Sequence, residues 1–519
     1  MSNLPEWAAG SVALASHGVT VGALFADQAR RCGAHPAIEE GGCRLTYAAL
    51  NGRVNRLARA LAGLGLRRGD RVAILSENRT EYLEVQLAAA KLGAMVACQN
   101  WRQADAELAW CLDLCDARLL LASERFAAVP GRLGWSGPVR FFGEAYEAML
   151  AAASDAEPPD AAEAEDGLVM LYTSGTTGRP KGAVISHRAV IARCAISRMD
   201  GSLFPETATI CWAPFFHMAA TDPALGMLVS GGTVIIQDGF DPDAIVETIT
   251  RTEIGNLMLM PATIDRLIAA LHRGGARPKP IRVIGSMADL VPRQQMVEIT
   301  TLLQAPYRNT FGATETGPAP ASRGVIPIGT VPERMSKVQS SLCRVRLTDE
   351  EDREVPDGEP GEMTLRSPAL FSGYWRNPEA NAADFRGGWF HMGDVFRRNA
   401  DGTLDFVDRR KYLIKSGGEN IYPAEIEQLL LASPRIHDAA VVRRPDARWG
   451  EVPVAFVVPA AGDVTAEEVI ALCRGRIAGY KLPKAVRFIA AEALPRSTTG
   501  KIVRHELEAM LAADAPEGR

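Results

Sequence analysis

The sequence predicts an α/β protein: a large N-terminal domain made of α/β subdomains and a β-rich subdomain, followed by a small α+β C-terminal domain. Three observations support this. From about residue 45, short apolar runs alternate with amphipathic stretches, the rhythm of strands joined by helices. After about residue 340, strand-like runs are separated by Asp, Glu and Gly turns. Past Arg410, the last stretch of about 110 residues mixes helix and strand patterns and is long enough to be a domain of its own. At roughly 150 residues per folding unit, 519 residues point to three or four units.

In chain order, Arg71–Leu75 is a short apolar run that reads as a strand, and Thr80–Leu92 has the period of a helix. Residues 151–166 (AAASDAEPPDAAEAED) are acidic and Pro-containing, which suits a solvated connector. Residues 168–172 form the next strand, and Thr233–Ile236 and Ile281–Ile284 continue the α/β pattern. In the β-rich part, strands are predicted at 345–348, 361–365 and 402–407. The C-terminal part is predicted to hold a helix over Pro423–Leu431, strands at 439–442 and 452–458, and a helix over 466–478.

Composition excludes several classes. With 47% hydrophobic and 23% charged residues the chain is neither disordered, fibrous nor a disulfide mini-protein. A net charge of −5 without a dense basic run argues against wrapping nucleic acid or an anionic membrane. Nine cysteines without a CxxC pair read as reduced, buried thiols. The first residues lack a basic stretch followed by an apolar one, and no uncharged apolar run reaches the ~18 residues of a membrane span. The expectation is a cytoplasmic protein without a membrane span.

The strongest local signal is residues 172–182, YTSGTTGRPKG, where a buried strand empties into a loop. Gly175, Gly178 and Gly182 let backbone approach oxyanions closely. Thr173, Ser174, Thr176 and Thr177 offer O–H donors, and Lys181 a mobile positive charge. This is a phosphate-binding composition, but not a Walker A loop, because Gly175 and Gly178 are three apart and Gly182 follows the lysine.

Further segments stand in register with it: residues 45–47 (LTY), 91–94 (KLGA), 213–217 (APFFH), 311–315 (FGATE), 388–394 (GWFHMGD), 408–411 (DRRK), 415–423 (KSGGENIYP) and 495–501 (PRSTTGK). In this order and at this spacing the chain resembles the adenylate-forming superfamily of acyl-CoA synthetases, amino-acid adenylation domains and luciferases, over nearly its whole length. The resemblance implies an AMP-binding domain over 1–410 and a mobile C-terminal domain over 411–519. It also implies that a carboxylate is joined to ATP with release of pyrophosphate and that the acyl group then passes to a thiol. Bringing anions together calls for placed cations and donors.

By that resemblance Glu315, assisted by Thr173, is a ligand of Mg²⁺ on phosphate oxygens, and Asp394, supported by Arg409, receives the ribose hydroxyls. Adenine is assigned to the space between residues 285–287, with Ser286 and Met287, and the segment of Thr310, Phe311, Gly312 and Thr314. Relatives often carry Tyr at the Phe311 position. Lys501 is the lysine brought to the carboxylate and α-phosphate. Lys411 is the hinge about which the C-terminal domain turns, with Tyr412 where an Asp is common. Lys415, Gly417 and Gly418 face the acyl group and the pantetheine arm, and Trp449 and Tyr480 the nucleotide end of coenzyme A.

Coenzyme A is the expected thiol, because 18 residues follow Lys501 and no carrier module follows it. Phe216 and His217 stand where amino-acid adenylation domains carry an Asp, which favours a simple carboxylic acid. His217, Met218, residues 257–260, Ser286, Met287 and residues 314–317 are the expected acid pocket. The activity this implies is an ATP- and Mg²⁺-dependent acid:CoA ligase for a medium-chain, alicyclic or aromatic acid. Alternatives are a stand-alone enzyme loading a carrier protein and, through Arg308, a dicarboxylate (malonate-type) ligase. A luciferase-like monooxygenase and a non-catalytic nucleotide binder stand further off. A homodimer is left open, and no nucleic-acid partner is expected.

Overall fold

The computed structural model describes residues 18–173, 179–275, 277–417, 419–460, 464–496 and 502–513. Its N-terminal part is built on two mainly parallel sheets. In the six-stranded one the order is Val139–Phe141, Leu119–Ala122, Arg71–Leu75, Met95–Cys98, Gly167–Thr173 and Lys181–Ser186, all parallel except the last. The eight-stranded sheet places Val325–Ile326, Tyr307–Arg308, Ile281–Ile284, Ile254–Leu257, Ala208–Cys211, Thr233–Ile236, Pro36–Glu40 and Cys43–Thr46 side by side. Parallel strands covered on both faces need continuous apolar runs. Met95–Cys98, Leu119–Ala122 and Thr233–Ile236 accordingly are buried at every position.

Side chains cap the helices between them. Thr46 caps Tyr47–Gly63 by accepting from Ala49 N at 3.2 Å, and Ser186 caps His187–Met199. Arg71–Leu75, Thr80–Leu92, Thr233–Ile236 and Ile281–Ile284 keep the bounds read from sequence. The acidic connector carries no regular element from 154 to 166, but it is strapped down rather than simply solvated. Glu157 takes the buried Lys91 ammonium, and Arg56 donates to Ala153 O at 2.6 Å.

The β-rich subdomain is a four-stranded antiparallel sheet of Arg344–Thr348, Pro360–Arg366, Phe390–Arg398 and Leu404–Arg409. Three of these are predicted from the sequence; Phe390–Arg398 is not, because its Gly393 (φ 73°) and the register shift after Val395 interrupt the alternation. In the C-terminal part, Ile436–Asp446 and Gly450–Pro459 form a long hairpin with a helix on each side. Period two divides its side chains: Ala439 and Val441 face Pro423–Leu431, while Ala440 and Val442 face Arg504–Ala513. The helix predicted over 466–478 stops at Cys473, because Arg474 turns extended and Gly475 takes φ 73°. All nine cysteines are free thiols; five are buried, and Cys43, expected to be buried, is exposed. Among the described residues no helix is long and apolar enough to cross a membrane.

Candidate active site

Thr173 stands opposite Lys181 across the antiparallel pair Gly167–Thr173 and Lys181–Ser186. Thr173 therefore lies at the carboxyl end of the parallel strands, where α/β sheets bind ligands. Ser174, Gly175, Thr176, Thr177 and Gly178 lie outside the described residues. Lys181 Nζ sits 3.8 Å from the ring centroid of Tyr374 and 3.7 Å from Asp384 Oδ2. Tyr374 gets there because residues 372–375 run beside the lysine strand: Ser372 N donates to Val184 O (2.8 Å), Val184 N to Gly373 O (3.0 Å) and Trp375 N to Gly182 O (2.8 Å).

The Tyr374 hydroxyl donates to Glu315 Oε1 at 2.9 Å, so lysine and carboxylate meet on one phenol. Burial, then the Glu315 and Asp384 carboxylates, hold that phenol well above its usual range, as a neutral donor. Glu315 rides on a tight turn in which Thr316 N donates to Ala313 O and Ala313 N to Thr316 Oγ1, both 3.0 Å. A Cβ on Gly312 would lie 2.0 Å from Gly317 O, which explains the glycine there. Arg193 clamps the turn, donating to Thr314 O (2.9 Å) and Ala369 O (3.0 Å) while paired with the partly buried Asp222.

The segment assigned to adenine is a hydrogen-bonded shelf. Ser286 Oγ lies 3.0 Å from Thr310 Oγ1, which also accepts Met287 N at 3.1 Å, and the Tyr307 hydroxyl donates to Ser286 O at 2.9 Å. Met287 has φ 49°, a strained left-handed conformation for a non-glycine residue. Half-buried Phe311 leans edge-on against Phe396, with ring centroids 4.7 Å apart, in a small core of its own.

Sequence pattern puts Asp394 in a turn. It lies instead within Phe390–Arg398, buried and opposite Arg409, whose Nε is 3.3 Å from Asp394 Oδ1. Lys411 is exposed on the 3₁₀ turn Arg410–Tyr412. Before it, Arg410 donates to Glu362 Oε2 (2.7 Å); Asp408 accepts Ala424 N (2.8 Å), and burial pushes its carboxyl up to about 6 against the opposing Arg504 charge. Tyr412 carries the Arg504 guanidinium 4.8 Å over its ring, so the aromatic where an Asp is common gains a cation partner.

Exposed Lys415 donates its backbone N to Glu451 Oε2 at 2.9 Å. Gly417 (φ 60°) lies under the Trp449 ring, where a Cβ would be 2.8 Å from the nearest ring atom. Trp449 and Tyr480 are exposed, as coenzyme contacts would need to be. Gly418 and Lys501 lie outside the described residues.

His217 has structural work of its own: its Nδ1 accepts Ala219 N at 3.1 Å and caps Met218–Ser230. Asn78 pins the loop before it, accepting Phe215 N (2.8 Å) and donating to Ala213 O (2.7 Å). Beside that loop, Trp212 donates to Met258 O (2.8 Å) and packs edge-on against Phe240. Arg308, the candidate cation for a second carboxylate, is buried and donates to Asp200 O and Gly201 O, both 2.9 Å. Tyr374, Arg193 and Asn78 are functional-site residues that no sequence motif singles out. The site segments they hold lie 59 or more residues away, and the polar Asn after the strand Arg71–Leu75 was the local hint for the last.

Residues 25–375 match the family described as AMP-binding enzyme, and residues 425–501 match its C-terminal domain. The chain belongs to the AMP-binding enzyme family. It is 36% identical to a feruloyl-CoA synthase of Amycolatopsis sp over 476 residues, 91% of this chain and 95% of that one. It is also 36% identical to an indoleacetate–CoA ligase of Aromatoleum aromaticum, over 90% and 93% of the two chains. The structure of o-succinylbenzoate CoA synthetase from Bacillus subtilis with its acyl-adenylate intermediate superposes with a TM-score of 0.81 at 25% identity, over 93% and 97% of the chains. The large α/β part and the small C-terminal domain are thus the architecture of adenylating enzymes.

A divalent cation suits the donor set. Glu315 keeps one oxygen away from Tyr374, and the Thr173 hydroxyl ends the loop strand. Among the described residues no group of three or more His, Cys, Asp or Glu could hold a metal by itself. Mg²⁺ is a hard cation that one or two protein oxygens commonly hold, with phosphate and water completing the shell.

Proposed function

We propose that this enzyme is an AMP-forming acid:CoA ligase that activates an aromatic or otherwise apolar carboxylic acid as its acyl adenylate and passes the acyl group to coenzyme A. The observation that carries the reading is the meeting of Lys181 and Glu315, from separate segments, on Tyr374. It brings a phosphate-seeking cation and a hard oxygen ligand onto one side chain, next to the strand end Thr173. Mg²⁺, when bound, would neutralise phosphate charge. Lys181 would hold phosphate oxygens, Asp394 would accept the ribose hydroxyls with Arg409 steadying it, and the Ser286–Thr310 shelf with Phe311 would seat the base. The carboxylate then attacks the α-phosphate and pyrophosphate leaves, with Lys501 supplying the charge that balances the attacking oxygen.

For the second step we infer that residues 411–519 turn as a unit about Lys411, bringing Lys415, Gly417, Trp449 and Tyr480 to the site. The aromatic preference is supported by the names of the relatives, by the packing of Trp212 on Phe240 beside Met258 of the expected acid pocket, and by Arg308 being committed to two main-chain carbonyls. The test is a panel of arylpropenoic, arylacetic, medium-chain and dicarboxylic acids, assayed for pyrophosphate and thioester with and without CoA. CoA-dependent thioester from an aromatic acid, well above the dicarboxylates, is expected. Turnover that needs a carrier protein or oxygen in place of CoA would contradict it.

A further inference from the structure

Tyr374 stands outside every motif that carried the sequence reading, yet it touches two of them. It is 6% exposed. Its main chain is fixed twice by Asn381, which accepts Tyr374 N at 2.7 Å and donates to Tyr374 O at 3.0 Å. Its ring is braced by Phe371 at 4.8 Å, and the backbone N of that same Phe371 donates to Glu315 O. The phenol therefore sits in a frame with little freedom, and its two functions are separable. The hydroxyl serves Glu315, whereas the ring face serves Lys181.

We propose that Tyr374 is a positioning residue for the nucleotide site: its hydroxyl turns Glu315 so that the free oxygen faces the cation, and its ring holds Lys181 in the place from which the ammonium meets phosphate. The proposal rests on the nucleotide-binding half of the function proposed above. Its physical basis is general. A carboxylate held by a neutral donor keeps its full charge for the metal and loses rotational freedom, and removing such a supporting partner commonly weakens a metal site by about 10- to 100-fold. An ammonium over an aromatic face remains bound when the ring loses its hydroxyl, because the attraction is to the ring.

These roles separate in binding measurements that need no acid. Calorimetric ATP affinity would be measured with EDTA and with saturating Mg²⁺ for wild type, Tyr374→Phe, Tyr374→Leu, Glu315→Gln and the double variant that combines Tyr374→Phe with Glu315→Gln, with melting temperatures confirming the fold. Tyr374→Phe should bind ATP in EDTA within about twofold of wild type while losing roughly tenfold or more of the strengthening by Mg²⁺. Tyr374→Leu should weaken binding in both conditions. Adding Tyr374→Phe to Glu315→Gln should cost no further Mg²⁺ strengthening, since the hydroxyl acts through that carboxylate. Tyr374→Phe that keeps the whole Mg²⁺ effect, or the same added loss in the Glu315→Gln background, would overturn the assignment and leave the ligase reading standing. A wild-type protein that binds ATP in neither condition would overturn both.

Discussion

Glu315 and Lys181 both lean on the phenol of Tyr374, the carboxylate on its hydroxyl and the ammonium on its ring, with Asp384 3.7 Å from the same ammonium. Glycines, hydroxyls and a lysine at a strand end were legible in the sequence because their chemistry is local, whereas Glu315 was named only through the family resemblance. Tyr374, Arg193 and Asn78 were not legible, because each acts on a residue brought near by folding. The same holds for His187, which opens the helix after the loop strand and accepts Val21 N on Nδ1 at 3.1 Å, so it ties the first described helix to the core. Burial lowers its imidazole to about 4. A depressed histidine favours the native state fully above about pH 6.5, and that contribution, roughly 3 kcal/mol, is lost as pH falls toward 4. Wild type should therefore lose thermal stability from pH 7 to 5 more steeply than His187→Gln; parallel melting profiles would contradict this.

Elements were legible where burial dictates composition. The parallel strands announced themselves as short unbroken apolar runs, and several kept their predicted bounds. Phe390–Arg398 did not, since Gly393 and the shift after Val395 break its alternation, and so Asp394 was assigned to a turn. The turn Arg410–Tyr412 links the last strand of the β-rich sheet to the C-terminal part. Its flanks are held on either side, by Arg410 on Glu362 and by Arg504 over Tyr412, while Lys411 between them is exposed. Fixing φ at such a pivot restricts rotation. Lys411→Pro is expected to keep acid-dependent adenylate formation near the wild-type rate and to slow thioester formation at least tenfold. Full overall turnover would rule the hinge out.

At the scale of the whole molecule, the proposed ligase carries two chemical steps in one cleft, with the C-terminal domain serving each in turn. Lys501→Ala should abolish adenylate formation from acid and ATP, while thioester formation from pre-made acyl adenylate and CoA continues; equal loss in both assays would remove Lys501 from the first step. The architecture was legible in advance because texture changes along the chain follow layer changes in the fold. The acid was not, because the shape around residues 257–260 depends on side chains that folding brings together, as where Trp212 reaches Met258 O and packs on Phe240. The most direct measurement is exchange of labelled pyrophosphate into ATP without CoA, across aromatic acids. Exchange that depends on the acid and disappears in Lys501→Ala is predicted, and no exchange with any organic acid would contradict the account.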